Sequence, residues 1–151
     1  MQLLPPNKNR GSCNVGWKNF VDLDITSPLR TIQDIRETIN KLETSNAENL
    51  VTGSTARRSP YFNLVETDEK ERVYLSKKPS KPIFRRQDSP LCFDLNASIF
   101  CWKRACLFSN NDSVIGDNTI FFKMPEDRSI DIDTELDFSF VRFMMEEKLG
   151  K

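Results

Sequence analysis

The chain has 151 residues, enough for one domain, and balances 22 Lys plus Arg against 22 Asp plus Glu. With no long block of one sign it does not read as a nucleic-acid surface. The absence of histidine removes Ser-His-Asp and Cys-His catalysis, and its five glycines form no GxGxxG or Walker loop. Four cysteines without a CxxC pair read as reduced structural thiols, so chemistry must rest on carboxylates, amides, Arg, Lys and a metal.

In chain order, residues 1–19 hold Pro5, Pro6, Gly11 and Gly16 with little periodicity and read as an irregular arm, followed by one domain over 20–151. MQLLPPNKNRGSC is too polar for a secretory signal and no apolar run is long enough to span a membrane, so a cytoplasmic protein without membrane association is expected. FVDLDI (20–25) is a short strand running into a turn at Thr26, Ser27 and Pro28. TIQDIRETINKLE opens on Thr31 with Asp34 three residues on, a capping-box pattern. Ile32, Ile35, Ile39 and Leu42 give it an amphipathic face to dock on a sheet. Residues 49–56 form another strand. SPYFNLVE (59–66) and RVYLS (72–76), joined by TDEKE, form a hairpin.

Residues 77–90, with three prolines and five Lys or Arg, form a basic loop whose simplest role is a solvated one. FDLNASIFCWK (93–103) returns to strand character, with Asn96 just ahead of Ile99, Phe100 and Trp102. A helical turn over 104–108, a polar turn at NNDS and a strand at TIFFKMP (119–125) follow. Strand, turn and helix in this order indicate an α/β layer, and the apolar content of 38% is lean enough to ask for another segment or a partner.

In SIDIDTELDF (129–138), Ile130 and Ile132 alternate with Asp131 and Asp133, the period of a strand buried on one side, which puts both carboxylates on one face. Thr134 and Asp137 then open a helix with apolar Leu136, Phe140, Val141, Phe143 and Met144. Two hard oxygen ligands at a strand-to-helix turn suit Mg²⁺. A solvated strand edge, or charges favoured by the helix dipole, fits the same pattern.

Five motifs in order, TSPLR (26–30), SPYFNLVE (59–66), RRQD (85–88), LNASIF (95–100) and SIDIDTELDF (129–138), together resemble the acylneuraminate cytidylyltransferases, or CMP-sialic acid synthetases, over roughly residues 20–148. The resemblance implies an α/β fold with a mixed sheet and flanking helices, the second half of a nucleotide-diphospho-sugar-transferase-like (Rossmann-like) fold, with a protruding hairpin. It also implies an enzyme that joins the CMP of CTP to a nine-carbon 2-keto sugar acid with release of pyrophosphate. By the same resemblance, Asp131 and Asp133 hold Mg²⁺ against the triphosphate, and Arg86 and Gln87 of RRQD meet the sugar, the arginine matching its carboxylate. Asn96 approaches the sugar, Ser27 lines the cleft, Asp24 stands where some members carry glutamine, and Arg30 supports the turn. A homodimer is implied too.

The chain lacks the family's opening ARxGSKxxxxKN loop and its STD and RP segments, and Phe62 or Asn63 replaces a lysine of some members. The resemblance therefore covers the second half of the family fold. An inactive remnant or a dimerisation fragment is the competing expectation.

Overall fold

A computed structural model describes residues 16–107 and 113–150, which divide into two compact units. The NNDS turn lies mostly outside the described residues, as do residues 1–15 of the expected arm.

The larger unit is built on a four-stranded sheet in the order β1-β5-β2-β6, where β1 is Asn19–Leu23, β2 Asn49–Thr55, β5 Phe93–Lys103 and β6 Thr119–Lys123. β1 runs antiparallel to β5, with Val21 opposite Cys101, and β6 runs parallel to β2, with Val51 opposite Phe121. The sheet is therefore mixed. A parallel neighbour needs a crossover rather than a tight turn, and β2 and β6 are indeed separated in sequence by β5. Five successive buried residues in β2 mark it as a strand covered on both faces.

Helix α1, Ile32–Glu43, starts because the Thr31 hydroxyl accepts the Asp34 N–H while the Asp34 carboxylate accepts the Thr31 N–H, both halves of the capping box. Leu42, fully buried, packs with Ala47, Leu50, Ile99, Cys101 and Met124, and Ile35 and Ile39 lie against that cluster. Ile32 does not join them: it is 70% exposed. The inward row is instead Asp34, Thr38 and Leu42, one residue every four, and Thr38 satisfies its buried hydroxyl by donating to the Asp34 carbonyl at 2.7 Å. Lys41 caps the outer edge by donating to the Phe121 carbonyl at 2.8 Å, its ammonium 5.8 Å from the Phe122 ring.

A short helix α2, Arg104–Leu107, follows β5, and α3, Glu135–Lys148, ends the unit under its own capping box of Thr134 and Asp137. Of the apolar positions expected to dock α3, Val141 is buried, whereas Leu136, Phe140 and Phe143 are exposed. Burial pushes the Cys101 thiol up to about 12, so it stays protonated and inert.

The smaller unit, 54–94, contains the expected hairpin in shortened form: β3, Val65–Thr67, pairs antiparallel with β4, Val73–Leu75. Ser59 to Asn63, read from sequence as strand, is a turn. The Ser59 carbonyl accepts the N–H groups of Phe62, Asn63 and Leu64, and the Asn63 side chain accepts the Ser59 N–H at 2.8 Å. Short polar side chains that bond the local backbone compete with a strand ladder, and here they win. Asp68 organises the hairpin loop by accepting the N–H groups of Lys70 and Arg72, with Glu71 in the left-handed region at φ 60°.

Candidate functional site

β1 ends where Asp24 turns its carboxylate onto the following backbone: its Oδ1 accepts both the N–H and the hydroxyl of Thr26 at 2.9 Å, an Asx turn that replaces the next ladder bond. Arg30 then donates to the carbonyls of Asp24 and Ser27 at 2.5 and 2.6 Å, so it supports the turn. The result buries Ser27 completely.

Against this turn lies the SIDID segment, and it is not a strand. After a one-turn 3₁₀ helix, Glu126–Arg128, residues 129–134 form a loop whose Ile132 N–H donates to the Thr26 carbonyl at 2.9 Å. The expected alternation is absent: Ile130, Asp131 and Ile132 are all partly buried, and only Asp133 is exposed. Asp131 is half-buried and accepts hydrogen bonds from the Ser27 hydroxyl and from the backbone of Ala97. Asp133 is exposed. Burial holds the Asp131 carboxyl above its ordinary value, Ser27 and Ala97 oppose that rise, and the charges of Asp133 and Asp24 add to it. Asp133 and Asp24 thus lie near enough to Asp131 for their charges to act on it.

Asn96 lies on β5 in the same unit, 3% exposed. Its Oδ1 accepts from the Thr52 hydroxyl at 2.7 Å, and its Nδ2 makes only a long contact, 3.6 Å, with the Met124 sulfur. Thr52 also accepts the Ile99 N–H at 3.1 Å. Both ends of the amide are therefore used internally, the oxygen by Thr52 and the nitrogen by Met124.

Arg86 and Gln87 belong to the smaller unit, on the 3₁₀ turn Arg86–Asp88 of the basic loop. Both are exposed. One Arg86 nitrogen, Nη2, donates to the Ala56 carbonyl at 3.2 Å, which anchors the side chain, and no carboxylate of the described residues pairs with it; Asp88 is taken by Arg85 at 2.9 Å.

Sequence reasoning missed Arg128. Its guanidinium grips Asp34 with two parallel bonds of 2.8 and 2.9 Å, and the Asp34 side chain is 3% exposed. Burial by itself raises the Asp34 carboxyl, but the Arg128 and Thr31 hydrogen bonds outweigh it and hold it below the usual carboxylate value. A basic residue just ahead of SIDID was the available signal.

The sequence expects Mg²⁺ at Asp131 and Asp133. Among the described residues no group of three or more Asp, Glu, Cys or His side chains could hold a metal ion by itself. Two carboxylates with a third acid nearby match an ion that completes its shell with water and substrate phosphates.

No family model matches the chain. It is 43% identical over 132 residues to post-translational flagellin modification protein B of Campylobacter coli, and 42% identical over 132 residues to CMP-N,N'-diacetyllegionaminic acid synthase of Campylobacter jejuni, in each case 87% of this chain and 54% of the relative. An N-acylneuraminate cytidylyltransferase of Streptococcus agalactiae shares 27% identity over 124 residues, 82% of this chain and 29% of that protein. The chain is a relative of the acylneuraminate cytidylyltransferases. It spans about half the length of the first two of these curated relatives. The fold agrees with that placement. The structure of 4-diphosphocytidyl-2C-methyl-D-erythritol synthase from Anaerococcus prevotii superposes with a TM-score of 0.59 at 13% identity, covering 85% of this chain and 59% of that one. The likeness is one of fold. No described helix is long and apolar enough to cross a membrane.

Proposed function

We propose that this chain carries the metal-binding and sugar-binding part of a CMP-sugar synthetase, in which CTP and a nine-carbon 2-keto sugar acid give a CMP-sugar and pyrophosphate. The observation that carries the reading is the junction of Ser27 with Asp131, which unites the TSPLR turn and the SIDID loop around a group of carboxylates. Asp131 and Asp133 would hold Mg²⁺, which when bound neutralises charge on the triphosphate during nucleotidyl transfer. The chain's own contribution is placement. The Ser27 hydroxyl donates to Asp131 Oδ1, and the Ala97 backbone also favours the charged carboxylate. Asp24, bonded through Oδ1 to Thr26, adds negative potential beside them.

For the sugar, Arg86 offers a guanidinium anchored by one nitrogen to Ala56, with its remaining donors suited to a planar carboxylate, and Gln87 follows it on the same turn. Asn96 would donate through Nδ2 to a sugar hydroxyl in place of the long Met124 contact, since its oxygen is already committed to Thr52. The homodimer belongs to the same proposal and is supported by the apolar hairpin: Val65, Val73 and Tyr74 are all about half exposed or more, and a lone two-stranded ribbon of this kind needs a further surface to be stable. A cytoplasmic setting, where CTP is available, completes it.

The test is a hybrid in which this chain replaces its matching 132 residues in the Campylobacter jejuni synthase. Supplied with CTP, Mg²⁺ and either N-acetylneuraminate or N,N'-diacetyllegionaminate, the hybrid should release pyrophosphate, and Asp131→Asn and Asp133→Asn should abolish that release. A folded hybrid whose two variants retain turnover refutes the metal role. The chain alone, under the same conditions, should release none, because the matched region omits nearly half of each of the first two relatives.

A further inference from the structure

The TSPLR turn and the loop that carries Asp131 are laced together at three points. Thr26 accepts the Ile132 N–H at 2.9 Å, Ser27 donates to Asp131, and Asp34 receives the Arg128 fork at 2.8 and 2.9 Å. The first two contacts involve the site itself. The third lies behind it, three residues before Asp131, and differs in kind. Asp34 is already the capping residue of α1, accepting the N–H and hydroxyl of Thr31 at 2.8 and 2.7 Å. Its second task, gripping Arg128, is therefore performed from a carboxylate whose position the helix has fixed.

A two-point guanidinium–carboxylate bond sets orientation as well as distance, which a lysine could not do. The 3₁₀ turn Glu126–Arg128 adds its own constraint, since the Ser129 hydroxyl donates to the Pro125 carbonyl at 2.8 Å. Between Arg128 and Ile132, then, the backbone is held at both ends, and Asp131 has little freedom except to meet Ser27.

We infer that Asp34 and Arg128 are positioning residues for the Asp131 carboxylate, acting through the 128–132 backbone and touching neither metal nor substrate. This rests on the metal reading of Asp131 given above. Partners that orient ligating carboxylates from behind govern metal affinity by about 10–100-fold where they have been removed.

The experiment uses the whole chain with Mn²⁺ as the probe. Wild type, Arg128→Lys and Arg128→Gln are compared for Mn²⁺ affinity by water-proton relaxation, and for amide hydrogen exchange at Ile132 and, as an internal control, at Leu50 in the central strand. Both variants should bind Mn²⁺ about tenfold or more weakly. The Ile132 amide should exchange about tenfold faster while Leu50 keeps its wild-type rate, because the loop loosens without the sheet opening. Arg128→Lys, which keeps the charge, should resemble Arg128→Gln rather than wild type.

Unchanged exchange at Ile132 in either folded variant overturns the inference, as does equal acceleration at Ile132 and Leu50, which would mean that the pair only stabilises the domain. If wild type itself binds no Mn²⁺, or binds it equally after Asp131→Asn, the metal reading fails, and the exchange rates still decide whether the pair positions the loop.

Discussion

Replacing Thr52 with valine tests whether the buried hydroxyl beside Asn96 holds β2 and β5 together. Thr52 is fully buried, and its hydroxyl sits 2.7 Å from Asn96 Oδ1, 3.0 Å from the Ile99 carbonyl and 3.1 Å from the Ile99 nitrogen. A hydroxyl has one proton, and the shorter contact identifies Asn96 as its acceptor, while its lone pair takes the Ile99 N–H. Valine keeps the shape and removes both functions. Two buried groups, the Asn96 oxygen and the Ile99 N–H, then lose their partner, each at about 1–3 kcal/mol. Allowing for relaxation of Asn96, the expected loss is about 3 kcal/mol. Urea denaturation followed by circular dichroism measures it, with Thr52→Ser, which keeps the hydroxyl, expected to lose much less. A loss under about 1 kcal/mol for Thr52→Val would show that water or a rotated Asn96 satisfies these groups and would refute the reasoning.

Three further outcomes follow from the same geometry. Thr134→Ala removes the cap of α3 and should cost about 1 kcal/mol in thermal or chemical denaturation, with Thr134→Ser close to neutral. Asp131→Asn should leave the melting temperature at pH 7 unchanged or higher: burial, helped by the charges of Asp133 and Asp24, holds this carboxyl above its ordinary value in the folded state, so its charged form opposes folding at neutral pH, and a drop of several degrees would contradict that cost of burying the charge. Asp34 works in the opposite sense. Its folded value is depressed below 3.8, so the stability that it contributes is complete above that pH and is lost as pH falls through the folded value. The gap between wild type and Asp34→Asn in urea titrations should therefore narrow as the solution is made more acid than 3.8, and a constant gap would remove the Arg128 bond as its cause.

The local signals in the sequence were read well where the interaction itself is local. Thr31 with Asp34 and Thr134 with Asp137 are spaced so that each pair can close its own capping box, and both do. The strand at 93–103 and the presence of a hairpin, though shorter than expected, likewise follow from short-range pattern. Reading failed where a side chain chose a distant partner or none. Asp34 was legible as a cap, but its burial depends on Arg128, 94 residues later. Helical spacing gave α3 an apolar face at Leu136, Phe140 and Phe143, and it carries no information on what covers that face; in the described chain they are exposed. The SIDID alternation is present in the sequence, yet in the folded loop it does not separate buried from exposed side chains. For the site, the acids were legible from their spacing and Ser27 from motif resemblance, while the contact of Ser27 with Asp131, 104 residues away, leaves no trace in local pattern.

The lacing of the turn to the loop also bears on kinetics. Ser27 and Asp131 are separated by 104 residues, and Asp34 and Arg128 by 94, so each of these contacts closes a span that includes β2, β5 and β6. Forming them early would spend the entropy of a long chain closure on a few polar bonds, before the sheet had brought the ends close. The site should therefore zip up last, after the transition state. Substitutions at Ser27 and Arg128 then leave the refolding limb of a chevron in place and raise only the rate of escape from the native state. A carboxylate centre of this kind is paid out at the end of folding and is the first part of the chain to come undone.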